Sequence, residues 1–422
     1  MRHANDPRAT RVFNSSRPSQ GDISLATQFI HAHMIHAGGA AAKLQAAGGV
    51  RSLAFDASTP LQLSSGEALA PLAVAFETYG ALNPDRTNAV LVCHSLTGDQ
   101  FVASPNPITG RPAWWPRIVG PGRPIDTNRF FVICSNVLGG SMGTTGPGTI
   151  APDGLPHSLR LPAITMADAV RAQAMLVEAL GIENLFCVIG PGMGGMQALQ
   201  WASAYPKRVF SCVTVAAAAK QSAQNIALAE LGRQAIMADP DWRNGAYLQH
   251  GVRPTRGGSV ARTSAQLAGL SAQDVRSRFE SARTQERFAF NAEGANDTMR
   301  QQQGAGFVDR FDANSYLYLS RAMDGFDLGA DFGGRLSNAF QGGATRHGVF
   351  SFSSDWRYPP EEGREIARAL AAAGAEASFL EITSAQGHDA YMGNEPAFEA
   401  ALTGFIDASA AARGLALNGG GA

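Results

Sequence analysis

A glycine-rich turn between a predicted strand and a predicted helix carries the most chemical information in this sequence. Residues 185–189 form an apolar run typical of a buried strand, and the run leads into Gly190-Pro191-Gly192-Met193-Gly194. Small residues around an apex allow the tight turn of a G-x-S-x-G nucleophile elbow, whose apex side chain points out of the sheet. Here the apex is Gly192, so the nucleophile position has no hydroxyl or thiol. The backbone N–H of Met193 would still face an oxyanion at the helix N-terminus.

An acid and a histidine follow the turn in the chain order that Ser-His-Asp chemistry on such an elbow uses. Asp355 comes after a predicted strand at 348–352, and His388 comes after a predicted strand at 378–382. We expect His388 to be the general base, and Asp355 to orient it and stabilise the imidazolium. The loop after an early strand contains Leu96, whose backbone N–H is the expected second oxyanion donor.

The same glycines allow a second interpretation. Gly190, Gly192 and Gly195 match G-x-G-x-x-G, the pattern of a dinucleotide-binding turn. The match comes late in the predicted sheet, and no acidic residue follows about 20 residues later to hold a ribose. We therefore favour an acyl-transfer site over a phosphate site.

Short apolar runs alternate with helical patterns, which predicts an α/β fold with a mainly parallel sheet. The predicted strands are 72–78, 89–93, 130–134, 185–189, 212–215, 348–352 and 378–382, and the predicted helices are 166–180, 195–204 and 362–373. The alternation stops between residues 221 and 336, where helical patches at 225–237 and 271–282 predict a helical lid over the strand ends. The predicted organisation is a variable leader (1–50), a core (51–220 and 337–410), the lid (221–336) and a tail (411–422).

Composition excludes several classes of protein. The 422 residues contain 34 Lys and Arg against 35 Asp and Glu, so the net charge of −1 argues against a nucleic-acid partner. No apolar run approaches the length of a membrane span. His31, His33 and His36 have no acidic or cysteine partner nearby, so we predict no metal site.

The cysteines indicate a reducing compartment. None of the four is in a CxxC pair, and each lies in or beside an apolar run, as buried thiols do: Cys93, Cys134, Cys187 and Cys212. We therefore predict a cytoplasmic protein.

Six motifs make the chain resemble the homoserine O-acetyltransferase family, which are acyltransferases of the α/β-hydrolase fold. They are FETYG at 76–80, HSLTGD at 94–99, NVLGG at 136–140, GTTGP at 143–147, GGMQAL at 194–199 and GHDA at 387–390. The resemblance extends over about residues 55–406. It implies an α/β-hydrolase fold with a helical lid, and a homodimer.

The resemblance also implies a ping-pong reaction with small-molecule substrates and no bound cofactor. An acyl group moves from acetyl-CoA or succinyl-CoA to an enzyme serine, and then to the hydroxyl of homoserine or a similar amino acid. Arg262 matches the family residue that binds the amino acid's carboxylate, and Asp389 matches the residue that binds its ammonium group. These residue types suit those charges, since Arg forks a carboxylate and Asp pairs an ammonium.

The chain departs from the family at three places, one of which is Ser141-Met142 in the loop after Gly140, where the family often has Cys or another residue. Gly192 stands at the nucleophile, and a lid tyrosine of the family aligns with Gly269. Three interpretations stay open: an acyltransferase impaired by Gly192, a hydrolase or direct transferase in which His388 activates a water or an acceptor hydroxyl, and a non-catalytic binding protein on the same scaffold.

Overall fold

A computed structural model describes residues 42–47, 49–273, 275, 276 and 311–415. Most of the predicted leader, including its three histidines, lies outside the described residues. So do the predicted helix at 271–282 beyond residue 276 and the tail from residue 416.

Nine strands form one sheet. They are β1 (Ala42–Ala47), β2 (Val50–Phe55), β3 (Leu72–Tyr79), β4 (Ala89–Cys93), β5 (Phe131–Ser135), β6 (Leu185–Pro191), β7 (Val209–Val215), β8 (Arg346–Phe352) and β9 (Ala377–Ile382). Their order is β1-β2-β3-β5-β4-β6-β7-β8-β9. The pairs from β1 to β5 are antiparallel, and the pairs from β5 to β9 are parallel. Two short ladders pair Leu61–Gln62 with Ala68–Leu69 and Val119–Gly120 with Ile125–Asp126.

Helices cover the sheet and its carboxyl edge. They are α1 (Met166–Ala179), α2 (Met193–Ala204), α3 (Ala223–Ala238), α4 (Thr255–Gly269), α5 (Ala313–Asp324), α6 (Leu328–Asp331), α7 (Pro360–Ala372) and α8 (Pro396–Arg413). Short 3₁₀ turns span Ser158–Arg160, Pro240–Gly245, Tyr247–His250, Leu336–Phe340 and Gly387–Met392. The α/β prediction with a mainly parallel sheet is confirmed. Helices α3 to α6 fall in the segment predicted as the lid, where α3 packs along α4.

The predicted leader, residues 1–50, includes part of the sheet, because Ala42–Ala47 form strand β1. Residues 42–47 pair with β2 through a hairpin in which Ala42 lies opposite Phe55. Their sequence, AKLQAA, contains no β-branched or aromatic residue, so local propensity does not predict a strand. Pairing with β2 imposes the extended conformation. At the other end, α8 runs to Arg413, three residues into the predicted tail.

Apolar side chains pack on both faces of the sheet. Along β4, Leu91 belongs to one core cluster, whereas Val90 and Val92 belong to the other, as the two-residue period of a strand requires. The prediction of buried cysteines is confirmed for all four, and burial raises the pKa of the Cys93 thiol to about 12. No helix in the described part of the chain is long and apolar enough to cross a membrane.

A backbone-to-backbone contact joins the ends of β4 and β6 to the start of α2. A Cβ on Gly194 would overlap the carbonyl oxygen of Cys93, and a Cβ on Gly190 would overlap the backbone of Gly194. Only residues without a side chain permit this approach. The contact sets the first turn of α2 directly beside the loop that follows β4.

We expect Gly194→Ala to lower the free energy of unfolding by about 1–3 kcal/mol, since the added methyl group must displace backbone. Gly404→Ala is the matched control on α8, because nothing lies within 4 Å of its added Cβ. That helix-interior substitution should instead raise stability by roughly 0.5–1 kcal/mol. Urea unfolding followed by circular dichroism measures both, and equal effects would contradict the packing argument.

Candidate active site

The turn between β6 and α2 has the backbone of a nucleophile elbow although its apex is glycine. Gly192 has φ +54° and ψ −118°. Its N–H donates to the carbonyl of Val215 at 3.0 Å, and its own carbonyl accepts from Gly195 and Met196. A Cβ at this position would lie 3.3 Å from Nε2 of His388. The apex therefore points at the histidine, and a serine side chain here would reach it.

His388 is held by the predicted acid. Its Nδ1 lies 2.8 Å from Oδ2 of Asp355, and both side chains are buried. The other oxygen of Asp355 accepts the backbone N–H groups of Arg357 and Tyr358, both at 2.9 Å. Because a carboxylate can only accept a hydrogen bond, Nδ1 donates its proton to Asp355, and Nε2 is the ring nitrogen that faces the elbow.

Aromatic rings and a lid helix fix the position of His388. Tyr358 and Tyr391 lie 5.2 and 5.5 Å from its ring, measured between centroids. The preceding Gly387 has φ +64°, and its N–H donates to Oγ of Ser354. An added Cβ at Gly387 would lie 2.5 Å from the carbonyl oxygen of Gly269 at the end of α4. The lid thus packs on the histidine turn itself.

Two backbone N–H groups beside the elbow are available to an oxyanion. Met193 is the first residue of α2, whose cap, Gly192, has no side chain to accept from it. Leu96 lies in the loop after β4. Neither N–H donates to an acceptor in the part of the chain that the structure describes. Both residues line the same cavity as His388, where the helix N-terminus adds a partial positive charge.

Arg262 and Asp389 bring opposite charges to this cavity. Arg262 lies on α4 and Asp389 directly follows His388. Both residues line the cavity. Burial raises the pKa of Asp389, while His388, Arg262 and Arg357 act in the opposite direction. Burial likewise lowers the pKa of Arg262, against the attraction of Asp389. The pair can meet the carboxylate and the ammonium group of an amino acid.

Gly192 and Gly269, two of the positions where the sequence departs from the family it resembles, adjoin the turn that carries His388 and Asp389. A Cβ on Gly269 would lie 3.0 Å from Oδ1 of Asp389, so this glycine backs directly on that carboxylate. Two of the three glycines in the dinucleotide-type pattern, Gly190 and Gly195, allow close packing within the protein. A Cβ on Gly195, for example, would lie 2.5 Å from the methyl group of Ala217.

The structure brings together six of the predicted site residues on one cavity wall, with Asp355 behind His388. Sequence reasoning missed Arg357, which lines the same cavity. Its Nε is buried with no hydrogen-bond partner in the described chain, and its guanidinium lies 5.8 Å from the ring centroid of Tyr358. The signal was its place two residues after Asp355, on the loop that presents the acid.

Comparison with known proteins agrees with this geometry. The family model for the α/β-hydrolase fold matches residues 88–395. A homoserine O-acetyltransferase of Mesorhizobium japonicum is 54% identical over 368 residues, which is 86% of this chain and 94% of that protein. A homoserine O-acetyltransferase of Caulobacter vibrioides is 55% identical over 365 residues, 86% of this chain and 96% of that protein.

Solved structures with the same fold include two kinds of enzyme. The homoserine O-acetyltransferase from Bacillus anthracis superposes with a TM-score of 0.76 at 25% identity, covering 87% of this chain and 98% of that one. Esterase E22 superposes with a TM-score of 0.75 at 27% identity, covering 86% of this chain and 100% of that one.

We expect Asp389→Asn to stabilise the free protein at neutral pH. The folded pKa of Asp389 lies above the ordinary 3.8, so the folded state binds more protons and its stability falls as the pH rises through that window. Above the window the ionised carboxylate destabilises the fold, and the amide removes that cost. Thermal unfolding at pH 3.5 and pH 7.5 tests this: the gain should appear only at the higher pH. A gain independent of pH would contradict it.

Proposed function

The chain belongs to the homoserine O-acetyltransferase family of α/β-hydrolase-fold proteins, and we propose that it is an acyltransferase of that type whose covalent step lacks its nucleophile. One observation carries this proposal. The elbow, the His388–Asp355 pair and two available N–H donors surround a point where only the side chain of residue 192 is missing.

A serine at position 192 would complete a Ser-His-Asp triad with His388 and Asp355. Its Oγ would attack the thioester carbonyl of an acyl-CoA while His388 takes the hydroxyl proton. The N–H groups of Leu96 and Met193 would stabilise the oxyanion. Coenzyme A would leave as the thiol with the proton from His388, and an acceptor hydroxyl would then attack the acyl-serine in the same way. With glycine no acyl-enzyme bond forms, and loss of the nucleophile costs about 10⁶-fold in a well-studied serine protease.

The charges of the cavity support an amino acid as the acceptor. Arg262 can bind its carboxylate through a bidentate pair, and Asp389 can bind its ammonium group. Homoserine, the acceptor in the names of the relatives, carries both groups and a hydroxyl that can be directed toward His388. Binding energy at the two charged ends would orient that hydroxyl.

A second cation allows a dicarboxylic acyl donor. Arg357 lines the same cavity as Arg262 and Asp389, and its positive charge lowers the pKa of both groups. An amino acid contributes one further carboxylate, which Arg262 can take. The buried, unpartnered Nε of Arg357 then suits a second carboxylate. We infer that the cavity can take succinyl-CoA as well as acetyl-CoA, whose acyl group is the one in the names of the relatives.

One observation favours a second candidate function, direct transfer without an acyl-enzyme. The space at Gly192 lies beside Nε2 of His388, which has no hydrogen-bond partner in the described chain. A water placed there could attack a thioester or ester carbonyl, with His388 passing the proton to the leaving sulfur or oxygen. An acceptor hydroxyl could attack in the same way.

The cytoplasmic location and the homodimer stay predictions.

We expect Gly192→Ser to gain acyltransfer and Gly192→Ala to stay silent. Both variants accept the same backbone strain at φ +54°, so they differ only in the hydroxyl. Release of free thiol from acetyl-CoA and succinyl-CoA, with and without homoserine, measures turnover in the parent and both variants.

The parent gives the discriminating outcomes of this assay. Turnover in the parent that His388→Gln abolishes would replace the covalent route with direct transfer or hydrolysis. Silence of all three proteins, with calorimetric binding of homoserine or coenzyme A retained, would favour the binding protein. Silence without any binding would contradict the whole assignment.

We expect Arg357→Leu, in the Gly192→Ser background, to lower kcat/KM for succinyl-CoA by about 10- to 100-fold. A hydrogen bond to a charged group contributes roughly 1.5–3 kcal/mol, and succinyl-CoA would lose that bond in the variant. Acetyl-CoA has no terminal carboxylate, so its kcat/KM should stay the same. Arg364→Leu on α7, outside the cavity, is the matched control. An equal loss for both donors would contradict the donor assignment.

A further inference from the structure

His94, which the proposed chemistry has so far left without a role, joins two loops. It follows β4 and is 2% exposed. Its Nδ1 lies 2.7 Å from the carbonyl oxygen of Ser95, and its Nε2 lies 3.0 Å from the backbone N of Val137. Val137 belongs to the NVLGG motif after β5, so one imidazole connects the HSLTGD loop to the next loop along the sheet.

The contacts at the two ring nitrogens determine the state of the ring, and Nδ2 of Asn136 also lies 3.3 Å from Nε2. A backbone N–H can only donate, so Nε2 must accept from Val137 and carries no proton. A carbonyl oxygen can only accept, so Nδ1 must carry the proton that goes to Ser95. Together the bonds require the neutral tautomer protonated at Nδ1. His94 is therefore a fixed connector, whereas a proton-transfer group would need a free ring nitrogen.

The bond to Ser95 sets the direction of the next N–H. The carbonyl of Ser95 and the N–H of Leu96 belong to one planar trans peptide, so they point in opposite directions. Nδ1 of His94 and the N–H of Gly98, at 2.9 Å, both hold that carbonyl oxygen. The Leu96 N–H is thereby turned away from His94. An added Cβ on Gly98 would lie 2.9 Å from Cβ of His94, so this turn closes tightly on the ring.

The loop whose Val137 N–H donates to Nε2 is itself held by hydrogen bonds. Oδ1 of Asn136 accepts the N–H of Met142 at 3.0 Å, and its carbonyl accepts Oγ1–H of Thr144 at 2.7 Å. Oγ of Ser141 in turn accepts the backbone N–H of Asp312, at the start of α5. The loop that contacts the imidazole is therefore hydrogen-bonded, through Ser141, to the start of α5 in the predicted lid segment.

We propose that His94 is a positioning residue that orients the Ser95–Leu96 peptide and so places the second oxyanion donor. This inference rests on the proposed function, because the Leu96 N–H matters only where an oxyanion forms. His94 itself touches no reacting atom.

The tautomer is tested on the parent protein by ¹⁵N NMR of the histidine rings. We expect His94 to show a proton on Nδ1 and none on Nε2. A proton on Nε2 would overturn the proposal, because the bond to Val137 would then be impossible. Assignment comes from the loss of one ring signal in His94→Leu.

Substitutions separate the bond to Ser95 from simple packing. His94→Asn keeps an N–H near the position of Nδ1, whereas His94→Leu has no donor. In the parent background with ¹⁵N-leucine, the Leu96 amide resonance should move in His94→Leu and return toward its parent position in His94→Asn. Equal displacement in both variants would show a packing role only and overturn the proposal.

Kinetics in the Gly192→Ser background give the functional readout. Removing one oxyanion donor costs about 10²–10³ in kcat, so a misplaced one in His94→Leu should lower kcat about 10- to 100-fold with KM nearly unchanged. His94→Asn should recover most of that loss. A rise in KM at constant kcat, or no recovery, would overturn the proposal.

A control histidine and the NMR measurements separate the role of His94 from a general effect on packing and from the proposed function. His347 is similarly buried, at 3% exposure, and lies on β8 away from the loop. His347→Leu should change stability but not kcat. If Gly192→Ser proves silent, the proposed function fails, and the Leu96 amide and ring measurements still decide the role of His94.

Discussion

The contact between the Cys93 carbonyl and Gly194 is the constraint on which the site depends. It brings the carboxyl ends of β4 and β6 and the first turn of α2 within backbone distance of one another. The two available N–H groups come from the two sides of this contact, one from α2 and one from the loop after β4. A side chain at Gly194 or Gly190 would separate these elements and, with them, the donors.

The elbow keeps its conformation because its neighbours impose it. The N–H of Gly192 is bonded to β7 and its carbonyl to the first turn of α2, and these two bonds hold the residue at its positive φ. This separates the scaffold of a nucleophile from the nucleophile itself. A chain can lack the hydroxyl and still have the His388–Asp355 pair and two available N–H groups, which is the arrangement observed here.

Burial of charged groups around the cavity destabilises the free protein. Asp389 and Arg262 are largely buried, and burial shifts the pKa of each against its charged form. A ligand with complementary charges would offset that cost on binding. Arg357 adds a cation that the cavity's single wall carboxylate does not balance. These features suit a polar, charged ligand, and a purely apolar one would leave them unsatisfied.

Sequence patterns alone determined the α/β class, most strand positions, and the order of elbow, acid and histidine. Those features are local: buried strands are continuous apolar runs, and tight turns need glycine. Tertiary structure decided the rest. Strand β1 forms because β2 pairs with it, although its own residues have weak β propensity. Arg357 and His94 gained their places through contacts with Tyr358 and Val137, because residues distant in the chain meet only where parallel strands end at the same edge.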